Sequence, residues 1–306
     1  KDLADYRVIW DEPLSTGFAG AVVRGPGTPA GCSVLLALNL LQAQRVAVRA
    51  PYWRDAAAFA AYARSTRFAI VASGSPAMDA FERAQGLASD CAGRLQPGYA
   101  AAMAPRLQTI LEAAFGGQAG HHSASVVVVD RWGNVAALVH SINATMWGDT
   151  GIVVDGVPLS GAGGLYKTRL AGLKPGQHLP NDMAPVIALR DGKPVLAAAS
   201  VGSSLVGETV RMTAGLLGDG DPKAVAAGPP LLLPFIAAEN RAEPIPAGAY
   251  PAELRAAIEA KGIVLREEPA ARVAAIRGTA AVGMTGPDGR RRTVEVPQTV
   301  VFGDAR

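Results

Sequence analysis

Apolar positions recur at helical spacing through the first 115 residues and then switch to alternation. "CSVLLALNLLQ" is apolar on every side and predicts a buried helix. "RDAAAFAAYARS", "PAMDAFERAQGLAS" and "YAAAMAPRLQTILEAAF" combine helix-forming residues with apolar spacings of three and four. Residues 7–24 read as short strands broken around Pro13 and Gly17, and "GPGTPAGC" as a tight loop. After Gly116 the pattern changes. "SASVVVVD" and "NVAALVHSIN" predict two strands joined by "DRWGN", with Gly133 free to take positive φ. "TGIVVDG" is a further short strand. "APVIALRDGKPVLAAAS" predicts a second hairpin turning at Asp191–Gly192. It runs into "VGSSLVGETVRMTAGLLG", a helix with Ser203 or Ser204 at its N-cap. "PAELRAAIEAKG" predicts a helix ending at Gly262. "RVAAIRG", "TAAVGMTG" and "RTVEVPQTVVFG" read as final strands. Hairpins flanked by helices suggest layers of helix, sheet, sheet and helix.

Composition narrows this picture. The chain of 306 residues, 49% hydrophobic and 18% charged, can bury a sizeable core. Its net charge of +3 is small, and "GRRRT" after the turn "GPDG" reads as a solvated hairpin tip rather than a nucleic-acid contact. No apolar run spans a bilayer. Cys32 and Cys91 match no metal spacing and make a poor disulfide framework; Cys32 lies in an apolar helix pattern and is expected in the core. The histidines form no credible metal triad with an acid, and no cofactor is expected. The chain opens on "KDLADYRVIW", without Met and in mid-pattern. An internal start is therefore expected, which leaves a periplasmic, secreted or cytoplasmic location open.

The junction at "FGGQAGHHSASVVVVD" carries the candidate chemistry. A flexible loop lets the peptide bond before Ser123 distort, and a rigid strand follows at once. That is the arrangement for N-terminal-nucleophile chemistry, in which a hydroxyl attacks the preceding carbonyl and the freed α-amine becomes the general base. The amine's reference pKa near 8 suits that task. His121 and His122 lie on the departing side of the bond and read as exposed loop residues. His140 has the opposite parity to Ser141 and should face away from it. His178 sits in a polar loop.

From Ser123 to Asn143 the sequence resembles the start of the small subunit in the γ-glutamyltranspeptidase family, with the strand ending at Asp130 and the Gly133–Asn134 turn in register. "PGTPAGC", "LPNDMAPVIAL", "SVGSSL" and "YPAELRAAIEAKG" resemble further family segments. The resemblance covers essentially the whole chain. It implies an αββα sandwich, with residues 1–122 as the end of a large-subunit segment and 123–306 as a small-subunit segment that pairs with it. It implies autocleavage between His122 and Ser123. Ser123 would be the nucleophile, Ser141 its orienting hydroxyl and Asn143 a substrate-positioning residue. Gly202 and Ser203 would supply the oxyanion-hole N–H groups, which suits a helix N-terminus.

The specificity pocket departs from the family. Asn181 and Asp182 align with paired serines that hold a substrate carboxylate, and an Asp there repels one. "PLSGAGGLY", where the family places an acid for the substrate ammonium, has none. The sequence thus points to an autoprocessing amide hydrolase or acyltransferase with altered acyl specificity, acting on a small-molecule amide. The alternatives are a true γ-glutamyltransferase or glutathione hydrolase, and a non-catalytic relative that only binds.

Overall fold

The computed structural model describes residues 7–46, 51–73, 75–113, 123–141, 150–158, 173–174, 176–178, 181, 183–202, 204–218, 220–232, 242–286, 288–294 and 296. Two short strands, β1 (Leu14–Phe18) and β2 (Ala21–Gly25), precede helix α1 (Pro29–Ala43). Thr28 caps α1 and Pro29 supplies its first turn. Val34, Leu35, Leu36, Leu38, Leu40 and Leu41 are all wholly buried, so α1 is the all-round apolar helix its composition predicts. Helices α2 (Ala56–Ala72), α3 (Pro76–Ala84), α4 (Cys91–Arg94), α5 (Pro97–Met103) and α6 (Leu107–Ala113) follow. The run expected as one helix from Tyr99 onward is broken by a short 3-10 turn at Ala104–Arg106, because Pro105 has no N–H to continue the ladder.

The strands begin where alternation begins. β3 (Ser123–Val129) and β4 (Val135–Ser141) form an antiparallel hairpin. β5 (Val153–Val154) and β6 (Val157–Pro158) form a minimal one. β7 (Val186–Arg190) and β8 (Lys193–Val201) turn at Asp191 and Gly192, both at positive φ as expected for that dipeptide. Helices α7 (Leu205–Leu217) and α8 (Pro222–Ala227) follow, then β9 (Glu243–Pro246), α9 (Ala252–Glu259), β10 (Leu265–Glu268), α10 (Ala270–Ile276), β11 (Thr279–Thr285) and β12 (Arg291–Thr293). The parallel pair β9 and β10 is not evident from the sequence pattern. "RVAAIRG", expected as a strand, is instead α10: Pro269 sets its N-cap and its alanines favour helix. The arginine run does sit on the hairpin between β11 and β12, where Arg292 pairs with Asp288 at 2.5 Å.

One sheet of six strands, ordered β1-β2-β7-β8-β11-β12, organises the molecule. Leu196, Ala198, Ala280 and Val282 on one face join the helical core around α1 and α7. On the other face lies the β3–β4 hairpin. Gly283 of β11 sits so close that a Cβ there would be 2.7 Å from Val129 Cγ2 and 3.1 Å from Val127 Cγ1. Its register partner is Ala197, and Ala281 pairs with Ala199, so small residues line this face and let the second sheet approach. The described residues thus supply helix, sheet and sheet in the order of an αββα sandwich. The hairpin's outer face exposes Val126, Val128 and Leu138.

The cysteine pair corrects the sequence expectation. Cys32 is buried, as expected, but it is bonded to Cys91 across 59 residues of sequence. The spacing gave no hint because folding, not sequence, brings the first turn of α1 beside α4. Closing a loop of that length stabilises by roughly 4 kcal/mol in the chain-entropy account. Titration of the denatured, unreduced full chain is therefore expected to find no thiol. Cys91→Ser should lower the unfolding free energy by about 2–4 kcal/mol in urea titration.

Candidate active site

The β3–β4 turn sets the site's register. Asp130 Oδ1 accepts from the N–H groups of Trp132 and Asn134 at 2.8 and 2.9 Å, and Oδ2 accepts from the Asn134 side chain at 2.8 Å. Hydrogen bonds, first the one from the Asn134 side chain, hold the exposed Asp130 carboxyl below the usual range. Gly133 takes φ +88° in that turn, as its position in "DRWGN" requires. The turn pairs Val129 with Val135 and, six positions along, Ser123 with Ser141. Side chains directly opposite on an antiparallel pair share a face.

That face is the inner one. Ser123, Ser125, Val127 and Val129 are half-buried, whereas Ala124, Val126 and Val128 are exposed. Ser141 shares the inward parity and His140 points out, as the alternation predicts. Ser123 opens the strand. Its Oγ is shut from solvent and has no hydrogen-bond partner in the structure. A buried hydroxyl without a partner costs on the order of 1–3 kcal/mol, so its retention asks for a chemical reason. His122 and Asn143, the flanking expectations, lie outside the described residues, as does His121.

Gly202 follows β8, one of the strands beneath the hairpin, and leads into α7. It adopts φ +92°, and a Cβ there would meet the Arg277 carbonyl oxygen at 3.1 Å. Its own carbonyl accepts from Leu205 N–H at 3.2 Å. Gly278 completes the tight turn by packing on the Ser204 backbone. Ser204 occupies the N-cap position of α7 without a capping bond. Its Oγ turns instead to the Leu232 and Ile276 carbonyls, 2.6 and 2.7 Å away. The helix start therefore keeps its side-chain-free N–H groups and the positive end of its dipole. Ser203 lies outside the described residues.

Asn181 has a local role. Its Oδ1 accepts from Met183 N–H at 2.8 Å. Asp182, between them, lies outside the described residues. Two residues escaped the sequence reading. Thr28 donates to the Met183 carbonyl at 2.7 Å, a contact across 155 residues that no local pattern signals. Arg277 lies beside the Gly202 turn with Nε and Nη2 buried and unpartnered, while the nearby Glu208 carboxylate is held bidentately by Arg211 at 2.7 and 2.5 Å. Burial draws the Arg277 pKa down, Glu208 opposing. A single arginine in an alanine-rich run carries no such signal. Among the described residues no group of three or more His, Cys, Asp or Glu side chains is placed to hold a metal, and no helix is long and apolar enough to cross a membrane.

The positive φ at Gly202 sets a measurable constraint. Gly202→Ala is expected to cost roughly 1–3 kcal/mol of stability in chemical denaturation, since an L side chain is strained there and the Arg277 carbonyl must give way. An unchanged midpoint would remove the turn from the account.

Comparison with known proteins agrees with this architecture. The family model "Gamma-glutamyltranspeptidase" matches residues 1–297. No curated protein matches the chain. Among solved structures, a cephalosporin acylase from Bacillus halodurans superposes with a TM-score of 0.69 at 18% identity, covering 97% of this chain and 53% of that one. The structure of LmbA2991HD gives 0.60 at 18% identity, covering 95% of this chain and 55% of that one. The chain therefore spans about half the length of these relatives, and shares with them the N-terminal-nucleophile hydrolase fold. With a family match running nearly end to end over a hairpin, sheet and turn of this geometry, the chain belongs to the γ-glutamyltranspeptidase family.

Proposed function

We propose that this chain is an autoprocessing N-terminal serine amidohydrolase or acyltransferase whose acyl specificity differs from that of a γ-glutamyl enzyme. One observation carries the reading. Ser123 opens an inward-facing strand with its Oγ buried, unpartnered and opposite Ser141. In maturation the Ser123 Oγ attacks the His122 carbonyl carbon. The His122–Ser123 C–N bond breaks as the nitrogen takes a proton, and water then hydrolyses the ester. The products are a His122 carboxylate and a Ser123 bearing a free α-amine. That amine accepts the hydroxyl proton in each later attack on an amide and returns it to the leaving amine. Ser141 orients the hydroxyl and Asn143 positions the acyl group. The Gly202 and Ser203 N–H groups, at the start of α7, receive the oxyanion charge. The acyl ester is then released to water. Residues 1–122 and 123–306 stay together as large- and small-subunit segments.

The test of processing is direct. Wild-type protein should run as two fragments, with Ser-Ala-Ser-Val at one terminus by Edman sequencing. Ser123→Ala should stay whole. A wild type that never cuts is a non-catalytic relative on this fold.

Specificity follows from charge. By sequence, Asp182 aligns with a neutral hydroxyl that holds a substrate carboxylate in the family, and two like charges brought together repel unless one protonates. Residues 158–166 hold no acid for an ammonium. γ-Glutamyl p-nitroanilide should therefore be a poor donor. Asp182→Ser should lower its KM by about tenfold with little change in kcat, because the relieved repulsion acts on bound substrate and transition state alike. Efficient wild-type turnover of that anilide restores the ordinary γ-glutamyltransferase reading.

A further inference from the structure

The antiparallel pairing of β2 with β7 ends at Arg24 and Ile187. Beyond that point the two chain segments stay together by other means. Thr28 sits in extended conformation at the N-cap of α1 and accepts from Gly31 N–H at 3.0 Å. Its hydroxyl proton goes to the Met183 carbonyl at 2.7 Å. One hydroxyl thus serves as helix cap and as tie to a segment 155 residues away. The loop it stands in is closely packed. A Cβ at Gly31 would lie 2.2 Å from the Pro26 carbonyl oxygen, and one at Gly25 would touch the Pro185 carbonyl oxygen at 3.5 Å. On the other side of the tie, Met183 N–H is held by Asn181 Oδ1 at 2.8 Å. Both polar backbone groups of Met183 are therefore bonded to side chains, one local and one distant. Ala184 next to it is wholly buried.

From this we infer that Thr28 is a positioning residue for acyl-group recognition: through the Met183 carbonyl it anchors the backbone that Asn181 holds from the other side. This rests on the reading of Asn181 as part of the acyl-recognition segment. Asn181 then acts chiefly by holding Met183 from the near side, and Thr28 supplies the far anchor. Loss of the tie frees a short segment without touching the nucleophile or the turn at Gly202. Its signature should fall on substrate binding and not on the chemical step.

The two roles of Thr28 separate by substitution. Thr28→Ser keeps acceptor and donor. Thr28→Asp keeps the acceptor, and aspartate is a good N-cap, but it has no proton for the carbonyl. Wild type and both variants would be compared as whole, processed protein on γ-glutamyl, 4-aminobutanoyl and butanoyl p-nitroanilides. Thermal midpoint and backbone amide exchange over residues 181–186 would be read in parallel. Thr28→Ser should match wild type. Thr28→Asp should keep its cut at Ser123 with only a small drop in thermal midpoint, raise KM about tenfold with kcat within twofold, and speed amide exchange in that segment. The cationic 4-aminobutanoyl probe should show a KM rise as well; a KM that falls for it reports attraction to the new carboxylate and overturns the positioning role. Equal kinetics and exchange in Ser and Asp variants of an active enzyme overturn the inference and leave the function standing. A drop in thermal midpoint with KM unchanged reduces Thr28 to a helix cap. A wild type that neither cuts nor turns over any probe overturns the function, and this inference with it.

Discussion

The register of one antiparallel hairpin is the constraint on which the site depends. Side chains alternate along a strand, so a slip of one residue between β3 and β4 would part Ser123 from Ser141 and put His140 on the face that Ser123 occupies. Two features prevent the slip. Asp130 closes the turn with three side-chain bonds, which fixes the count of residues between the strands. Gly283 then admits Val127 and Val129 at a depth that any side chain would block. The first sets which residues face one another. The second sets which face meets the six-stranded sheet. Neither touches Ser123, yet both determine where its hydroxyl points.

That sheet is stiff for a related reason. Leu196 to Ser200 of β8 are buried without interruption, which is the mark of a strand covered on both faces. The turn at Gly202 inherits this rigidity, since Val201 still pairs with Thr279 immediately before it. On the far side, Glu208 and Arg211 form a buried bidentate pair within α7. Removing one member would leave an uncompensated charge at a cost of about 3–5 kcal/mol. The helix start that follows Gly202 is thus held between a strand ladder and a buried ion pair. The oxyanion role proposed for this turn calls for such preorganisation, because little should reorganise during the reaction.

Much of this was legible in the sequence where the signal is local. Alternation marked β3 and β4, the dipeptide Asp191–Gly192 marked the β7–β8 turn, and the all-apolar run marked α1. Parity alone placed His140 opposite to Ser141 in facing. The misses share a different cause. "RVAAIRG" is a short apolar run ending in glycine, which reads like a strand, but a proline before it and its alanines decide for helix. Ser204 sits where a cap belongs, yet two carbonyls from distant segments outbid the helix for its hydroxyl. Cys32 and Thr28, four residues apart, each reach partners more than fifty residues away. Contacts of that kind are consequences of the fold, and one strand of text does not carry them.

The disulfide has a chemical consequence of its own. The chain has only two cysteines, and both are spent in it. No thiolate, ordinarily the strongest nucleophile of a protein, competes for an electrophile. An acylating probe that labels this protein at neutral pH reports on hydroxyls and amines alone. Covalent occupancy read by intact mass is accordingly a count of reactive hydroxyls and amines, with no thiol adduct among them.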